Sequence, residues 1–258
     1  MSEAAHKELI LDQFSRQAGL FSSAAPITDA GALEMIVAAA KPGPEDRMLD
    51  LACGGGIVVC AFAPFLREAV GIDMTPAMLE RAQKLAAEKG LENVRWHEGD
   101  VSRLPFPDAS FTIVTTRYSF HHFRDPAAVL REMVRVCAPG GRILVIDTQA
   151  SEDPAKAAEF NRLEVLRDPS HVRALPLSEM RGLFRGAGLG EPQRSFYELR
   201  DTVANLLARS FPNPGDEEKI VDLFRASARD DRLGIPVTLE QAAIRYAYPV
   251  MILCAQRP

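Results

Sequence analysis

Residues 48–56 read Met-Leu-Asp-Leu-Ala-Cys-Gly-Gly-Gly: an apolar run suited to a buried strand, an acid at Asp50, then Gly54, Gly55 and Gly56 in succession. Ile57, Val58, Val59, Ala61 and Phe62 then open a packed helix. Glycine at a strand-to-helix turn lets backbone approach a ligand with no Cβ in the way. The first free N–H groups of the helix point at whatever sits there. Two phosphate loops are excluded by spacing. Counting from Gly54, a dinucleotide fingerprint needs glycine or alanine at Val59, and no Lys-Ser or Lys-Thr pair follows to make a triphosphate loop. What remains is a glycine loop for a ligand without a triphosphate, with Asp50 placed to accept from an amine on it.

Ligands of open α/β sheets sit beyond the carboxyl ends of the strands, and the other strand ends carry a matching set. Asp73 closes Val70-Gly71-Ile72-Asp73. An acid there hydrogen-bonds a ribose diol, or else satisfies the backbone donors of the next helix. Asp100 follows a third strand, where turn capping is the rival role. Thr116 and Arg117 end the fourth strand, and Tyr118-Ser119-Phe120-His121-His122-Phe123 follows. A histidine in that loop can be a base or an orienting donor, since imidazole titrates near neutrality. For His121 that role and a loop-holding role are equally open; His122 reads as structural. A second polar cluster, Asp168-Pro169-Ser170-His171-Val172-Arg173, comes after the fifth strand, where an acceptor should enter. His171 and Arg173 suit an anionic or phenolic acceptor, arginine being fitted to bidentate carboxylate contact. A solvated loop or a salt bridge would use the same residues.

The elements that must position these residues alternate. Strands are predicted at about 48–51, 69–73, 94–98, 111–116 and 142–147, with helices between them, which argues a parallel sheet covered on both faces. Thr75 caps a helix that starts at Pro76 and closes at Gly90. Two helices precede the first strand, over Glu3 to about Gln17 and from Asp29 to Ala40 with Thr28 as N-cap. Later helices are expected at Pro154–Arg167, Ser178–Ala187, Asp201–Arg209 and Glu217–Arg229, with strands near Ser195–Leu199 and Tyr246–Ala255. The helices ahead of the final strand look like a cover for a substrate. The chain divides into an N-terminal helical cap (1–45), a ligand-binding core (46–150) and a segment of substrate-side helices and C-terminal strands of the same domain (151–258).

Composition sets the outer bounds. At 258 residues, 47% hydrophobic and 25% charged, the chain has the composition of a globular protein. A net charge of −5 argues against a nucleic-acid partner. Cys53, Cys60, Cys137 and Cys254 form no C-x-x-C pair, so neither a zinc site nor a disulfide framework is read, and a reducing cytoplasm is expected. No apolar run approaches the roughly 18 residues that span a bilayer, so no membrane insertion is expected. Either a monomer or a homodimer is compatible with this.

Asp50-Leu51-Ala52-Cys53-Gly54-Gly55-Gly56 resembles the first motif of class I S-adenosylmethionine-dependent methyltransferases, in the small-molecule branch that contains the ubiquinone and menaquinone C-methyltransferases (methyltransferase type 11). Trp96-His97-Glu98-Gly99-Asp100-Val101 resembles the same family's adenine motif. Phe111-Thr112-Ile113-Val114, Val136-Cys137-Ala138-Pro139-Gly140-Gly141 and Pro249-Val250-Met251-Ile252-Leu253 match in order. The resemblance implies a Rossmann-like methyltransferase fold: α/β, a doubly wound, seven-stranded, mostly parallel sheet with an N-terminal helical cap and a helical insertion before the last strand. It implies S-adenosyl-L-methionine as methyl donor, S-adenosyl-L-homocysteine as product, a small-molecule acceptor and no metal. Asp50, Ala52, Cys53, Gly54, Gly56, Asp73, Met74, Met78, Gly99, Asp100, Val101, Thr116 and Arg117 are then the cofactor set. His121, Tyr118, His171 and Arg173 are the acceptor-side set. N-terminal helices of the family commonly fold over the cofactor, which singles out Phe14 and Phe21. The quinone enzymes carry a Gly-Leu-Arg-Asn type of sequence after strand four, and Tyr118-Ser119-Phe120-His121 departs from it, which counts against a quinone acceptor. Two rivals stand beside methylation at oxygen, nitrogen or carbon: a non-catalytic cofactor-binding module and a nicotinamide-dependent oxidoreductase.

Overall fold

The computed structural model describes residues 2–21, 24–241 and 243–258, apart from the side chains of residues 20 and 21, so the lid reading of Phe21 lies outside the described residues. The strands are β1 (Arg47–Leu51), β2 (Glu68–Asp73), β3 (Val94–Glu98), β4 (Phe111–Arg117), β5 (Cys137–Thr148), β6 (Gln193–Thr202), β7 (Val237–Glu240) and β8 (Ala243–Gln256). The helices are α1 (Glu3–Phe21), α2 (Ala30–Ala40), α3 (Ile57–Phe62), α4 (Pro76–Glu88), α5 (Pro126–Val136), α6 (Pro154–Arg167), α7 (Leu177–Gly186), α8 (Val203–Ala208) and α9 (Asp216–Asp230). No described helix is long and apolar enough to cross a membrane.

Seven strands run in the order β3-β2-β1-β4-β5-β8-β6. Neighbours from β3 to β5 pair in parallel, and β8 runs antiparallel to both β5 and β6. The expected doubly wound, mostly parallel sheet is present. The short β7, which pairs with β8, was not expected. Period-two alternation sorts the strand residues into two apolar layers. Met48, Ile113, Leu144 and Ile252 pack on one face of the sheet. Leu49, Val114, Val145 and Leu253 pack on the other. Helices cover both.

The local chemistry differs from expectation at the N-terminus. Asp29, not Thr28, caps α2, its Oδ1 accepting from the Ala32 N–H at 2.7 Å. The Thr28 hydroxyl instead turns back to the Ala24 carbonyl at 3.3 Å. The Asp29 carboxylate reaches the orphan donor and is a stronger acceptor than a hydroxyl. Helix α1 runs past Gln17 to Phe21 and packs against α4. Its buried face carries His6, Gln13, Gln17 and Ala18, so polar side chains share that face with the apolar ones.

Gly56 shows why the loop after β1 ends in glycine. At φ 76°, a Cβ there would stand 2.5 Å from Trp96 Cη2 and 2.8 Å from Ala82 Cβ. A side chain would be strained by backbone and overpacked at once. The close approach seats the glycine loop on α4 and β3.

Candidate active site

Strand order reverses between β1 and β4, the switch point where open α/β sheets open a crevice. A cavity of about 650 Å³ lies there, within the range of small-molecule sites. Its floor is Asp50, Ala52, Cys53 and Gly54. One wall is Asp73, Met74, Met78, Gly99, Asp100 and Val101, and the opposite wall is Arg117, Tyr118, Ser119 and His122. Its roof is α1, which presents Glu3, His6, Lys7, Ile10 and Phe14, one helical face.

Asp73 organises the floor. Its Oδ2 accepts from the Gly54 N–H and its Oδ1 from the Thr75 N–H, each at 2.8 Å. It therefore performs the backbone-satisfying role. A carboxylate has about four acceptor positions, so capacity for a ligand hydroxyl remains. Asp50 accepts from the Thr115 hydroxyl at 2.6 Å. Burial pushes its carboxyl up to about 7, against the Thr115 hydrogen bond and the Arg117 charge. Asp100 accepts from the Ser102 N–H at 2.8 Å and pairs with Lys7 on the roof at 2.7 Å. Partial burial works against its ionisation, but Lys7 and Ser102 outweigh that and hold it below the usual carboxylate range. The roof is thus latched to the wall by an ion pair.

Twelve residues of the cofactor and acceptor-side sets line this cavity: Asp50, Ala52, Cys53, Gly54, Asp73, Met74, Met78, Gly99, Asp100, Val101, Arg117 and Tyr118; Phe14, singled out for the roof, lines it too. Gly56 does not; it faces Trp96 and α4. Thr116 is also behind the floor, its hydroxyl donating to the Leu51 carbonyl at 3.0 Å.

Three of the four acceptor-side residues are absent from the lining. His121 is buried, its Nδ1–H donating to Asp147 Oδ1 at 2.6 Å and its backbone N–H to Oδ2 at 3.0 Å. Burial opposes its protonation, yet the Asp147 carboxylate raises its pKa. His171 stacks on His121 with ring centroids 5.2 Å apart, its Nε2–H donating to Asn161 Oδ1 at 2.8 Å. Burial, then the neighbouring imidazoles, drive its pKa well down. Arg173 is half exposed and paired with Glu179. Each is engaged by a structural partner, and the insertion fares likewise: no described lining residue lies beyond Val129. Helix α8 instead borders a second cavity of about 650 Å³, with Ala24, Pro26, Arg245 and Tyr246. Phe211 after α8 stacks under Arg16 and accepts from Gln13, so the insertion backs the roof.

Two imidazoles outside the cofactor and acceptor-side sets line the cavity: His122, expected from sequence to be structural, and His6, which the sequence did not single out. His122 sits in a short 3₁₀ turn, Phe120–His122, that sends consecutive histidines to opposite sides. Its Nδ1–H donates to the Ser170 carbonyl at 3.0 Å, which leaves Nε2 as the unprotonated nitrogen. Nε2 has no hydrogen-bond partner among the described residues, and the ring meets Phe14 edge-on at 5.1 Å. Burial, reinforced by His121, lowers its pKa to about 4, so it is neutral. His6 from the roof donates from Nε2 to the His122 carbonyl at 2.9 Å.

The buried His121–Asp147 pair should hold the loop after β4. Asp147→Asn is expected to destabilise the protein by about 3 kcal/mol in urea unfolding at pH 6, as removal of one buried partner does. Since folding raises the His121 pKa, the pair's stabilisation is full below the ordinary imidazole value and fades as pH rises through the raised one. The difference between wild type and variant should narrow above neutrality. A variant as stable as wild type at pH 6 would deny the pair this role.

The sequence profile of a methyltransferase domain family matches residues 49–145. The methyltransferase YcgJ of Bacillus subtilis (strain 168) is 37% identical over 229 residues, 88% of this chain and 90% of that protein. The crystal structure of YcgJ aligns with a TM-score of 0.81 at 35% identity, covering 88% of this chain and 99% of that one. The demethylmenaquinone methyltransferase of Deinococcus radiodurans is 44% identical over 104 residues, 39% of this chain and 42% of that protein. Together with the glycine loop and strand-end acids around one cavity, these likenesses establish that the chain belongs to the methyltransferase domain family, within the class I S-adenosylmethionine-dependent methyltransferases.

Proposed function

We propose that this protein transfers a methyl group from S-adenosylmethionine to oxygen or nitrogen of a small-molecule acceptor. The observation that carries this reading is the convergence of Asp50, Gly54, Asp73 and Asp100 on one roofed cavity. The residues fit such a cofactor. The backbone at Gly54 is open to close approach, Asp73 keeps acceptor capacity for a ribose diol, and Asp100 with the Val101 N–H can receive an adenine edge. The buried Asp50 suits an ammonium group. When bound, the cofactor supplies a methyl group already activated on a sulfonium.

The chain's own contribution is then alignment and exclusion of water. Ile10 and Phe14 roof the cavity with apolar surface, and the Lys7–Asp100 pair ties the roof down. On the acceptor side His122 replaces His121. Its Nε2 offers a lone pair to an O–H or N–H group and can hold the proton that leaves as the nucleophile reacts. That preference for a proton-bearing nucleophile favours phenols, alcohols and amines over carbon acceptors. Tyr118, at the same wall, stays protonated because burial drives its pKa well up, so it orients rather than deprotonates.

Calorimetric titration with S-adenosylhomocysteine should give micromolar-range binding at pH 7.5. Because Asp50 must be ionised to receive an ammonium and its carboxyl lies at about 7, affinity should weaken by up to tenfold per unit as pH falls from 7 to 5.5. Asp50→Asn should bind more weakly and lose this slope. Absence of binding by wild type would sink the methyltransferase reading; an unchanged slope in Asp50→Asn would remove Asp50 from it. For acceptors found by screening phenols and amines, His122→Gln should lower kcat about 100-fold. S-adenosylhomocysteine affinity should stay within threefold. Wild-type turnover in that variant would assign the proton to another group.

A further inference from the structure

β6 ends the sheet, paired with β8 on one side and with no strand on the other among the described residues. Its ten residues keep one unbroken register with β8 from Gln193 to Thr202. Free edges are normally blunted by short length, a bulge, proline or lysine. This edge has none of those devices, whereas the opposite edge strand, β3, is only five residues long. The backbone groups on the outer side of β6 have no backbone partner among the described residues. Period-two alternation gives the strand two faces. Tyr197 and Leu199 pack into the core. Arg194, Phe196, Glu198 and Arg200 share the other face and are all exposed, Phe196 to 50%.

The charges on that exposed face are self-complementary about Phe196. Set two such edges antiparallel with Phe196 on the two-fold axis, and Phe196 meets Phe196 of the second copy. Arg194 of each copy then stands directly opposite Glu198 of the other, so the pair forms twice. Directly opposed residues attract when their charges differ and repel when they match. Sliding one copy by two residues sets Arg194 against Arg200; sliding it the other way sets Arg194 against Phe196 and Glu198 against Pro192. Of these three registers, the one centred on Phe196 pairs opposite charges and closes the exposed aromatic on itself. The charges are free to do this. Arg194 has no partner among the described residues. Glu198 is held only by Arg200 of its own strand, an exposed pair whose loss costs little. We infer that the β6 edge is a homodimer interface, in which two copies of this chain join antiparallel about Phe196 and continue one sheet through both. Such a contact is a closed two-fold and ends at two copies. It stands independently of the methyl-transfer reading.

Sedimentation velocity on the full chain tests this. A single strand edge is a small contact of the weak, transient class, so wild type should dimerise with a dissociation constant in the micromolar range. Arg194→Glu or Glu198→Arg alone sets like charges opposite one another twice and should raise that constant about tenfold or more. The two substitutions together restore opposite charges and should return the constant to within about threefold of wild type. That rescue also shows that the single variants lose the dimer through charge and not through misfolding. A wild-type chain that stays monomeric through the submillimolar range would overturn the inference. So would a dimer indifferent to both single substitutions, since its interface would lie on another face. A dimer lost in both single variants and not regained in the double variant would overturn the antiparallel register, and the inference with it.

Discussion

The Asp73 carboxylate is the tie on which the site depends. One oxygen takes the Gly54 N–H and the other the Thr75 N–H, so the loop after β1 and the start of α4 are fixed to the end of β2. Burying that acid costs free energy, and its pKa is raised by desolvation despite the backbone bonds that favour its charge. Those bonds lock a loop whose own residues, Ala52 at φ 49° and Gly54 at φ 51°, sit in the left-handed region. Gly56 then fits over Trp96, and the cavity floor is set by the sheet rather than by a free loop. A rigid floor permits a separate, ion-paired roof in α1.

Much of this was legible because it is local or follows from the sheet. The alternation of apolar runs with capped helices gave the parallel topology, and the helix Pro154–Arg167 has the bounds read from its Pro start. Asp50, Asp73 and Asp100 were findable because residues at carboxyl strand ends face the crevice whatever else the chain does. The resemblance of the loop to a known motif then narrowed the ligand.

What sequence could not distinguish depended on partners far along the chain. His121 and His122 are adjacent, and only Asp147 from β5 and Ser170 before α7 decide which imidazole is tied inward and which faces the cavity. His171 and Arg173 had the right chemistry for an acceptor but are engaged by Asn161 and Glu179. The roof was legible through the resemblance, which singled out Phe14; its apolar stripe alone is weak, because His6, Gln13 and Gln17 are buried polar residues of α1. The insertion read as a substrate cover stands behind that roof at Phe211. Rank by residue type favoured the wrong cluster; register and burial corrected it.

In the proposed reading one cavity, at the ends of β1 and β4 beneath α1, takes the methyl donor. A crystal structure of the protein grown with S-adenosylhomocysteine tests it most directly. The account predicts ligand density between the glycine loop and α1, with the ribose at Asp73, the base at Asp100 and the amino-acid end beside Asp50. Density in the second cavity beside α8, with the first left empty, would contradict it.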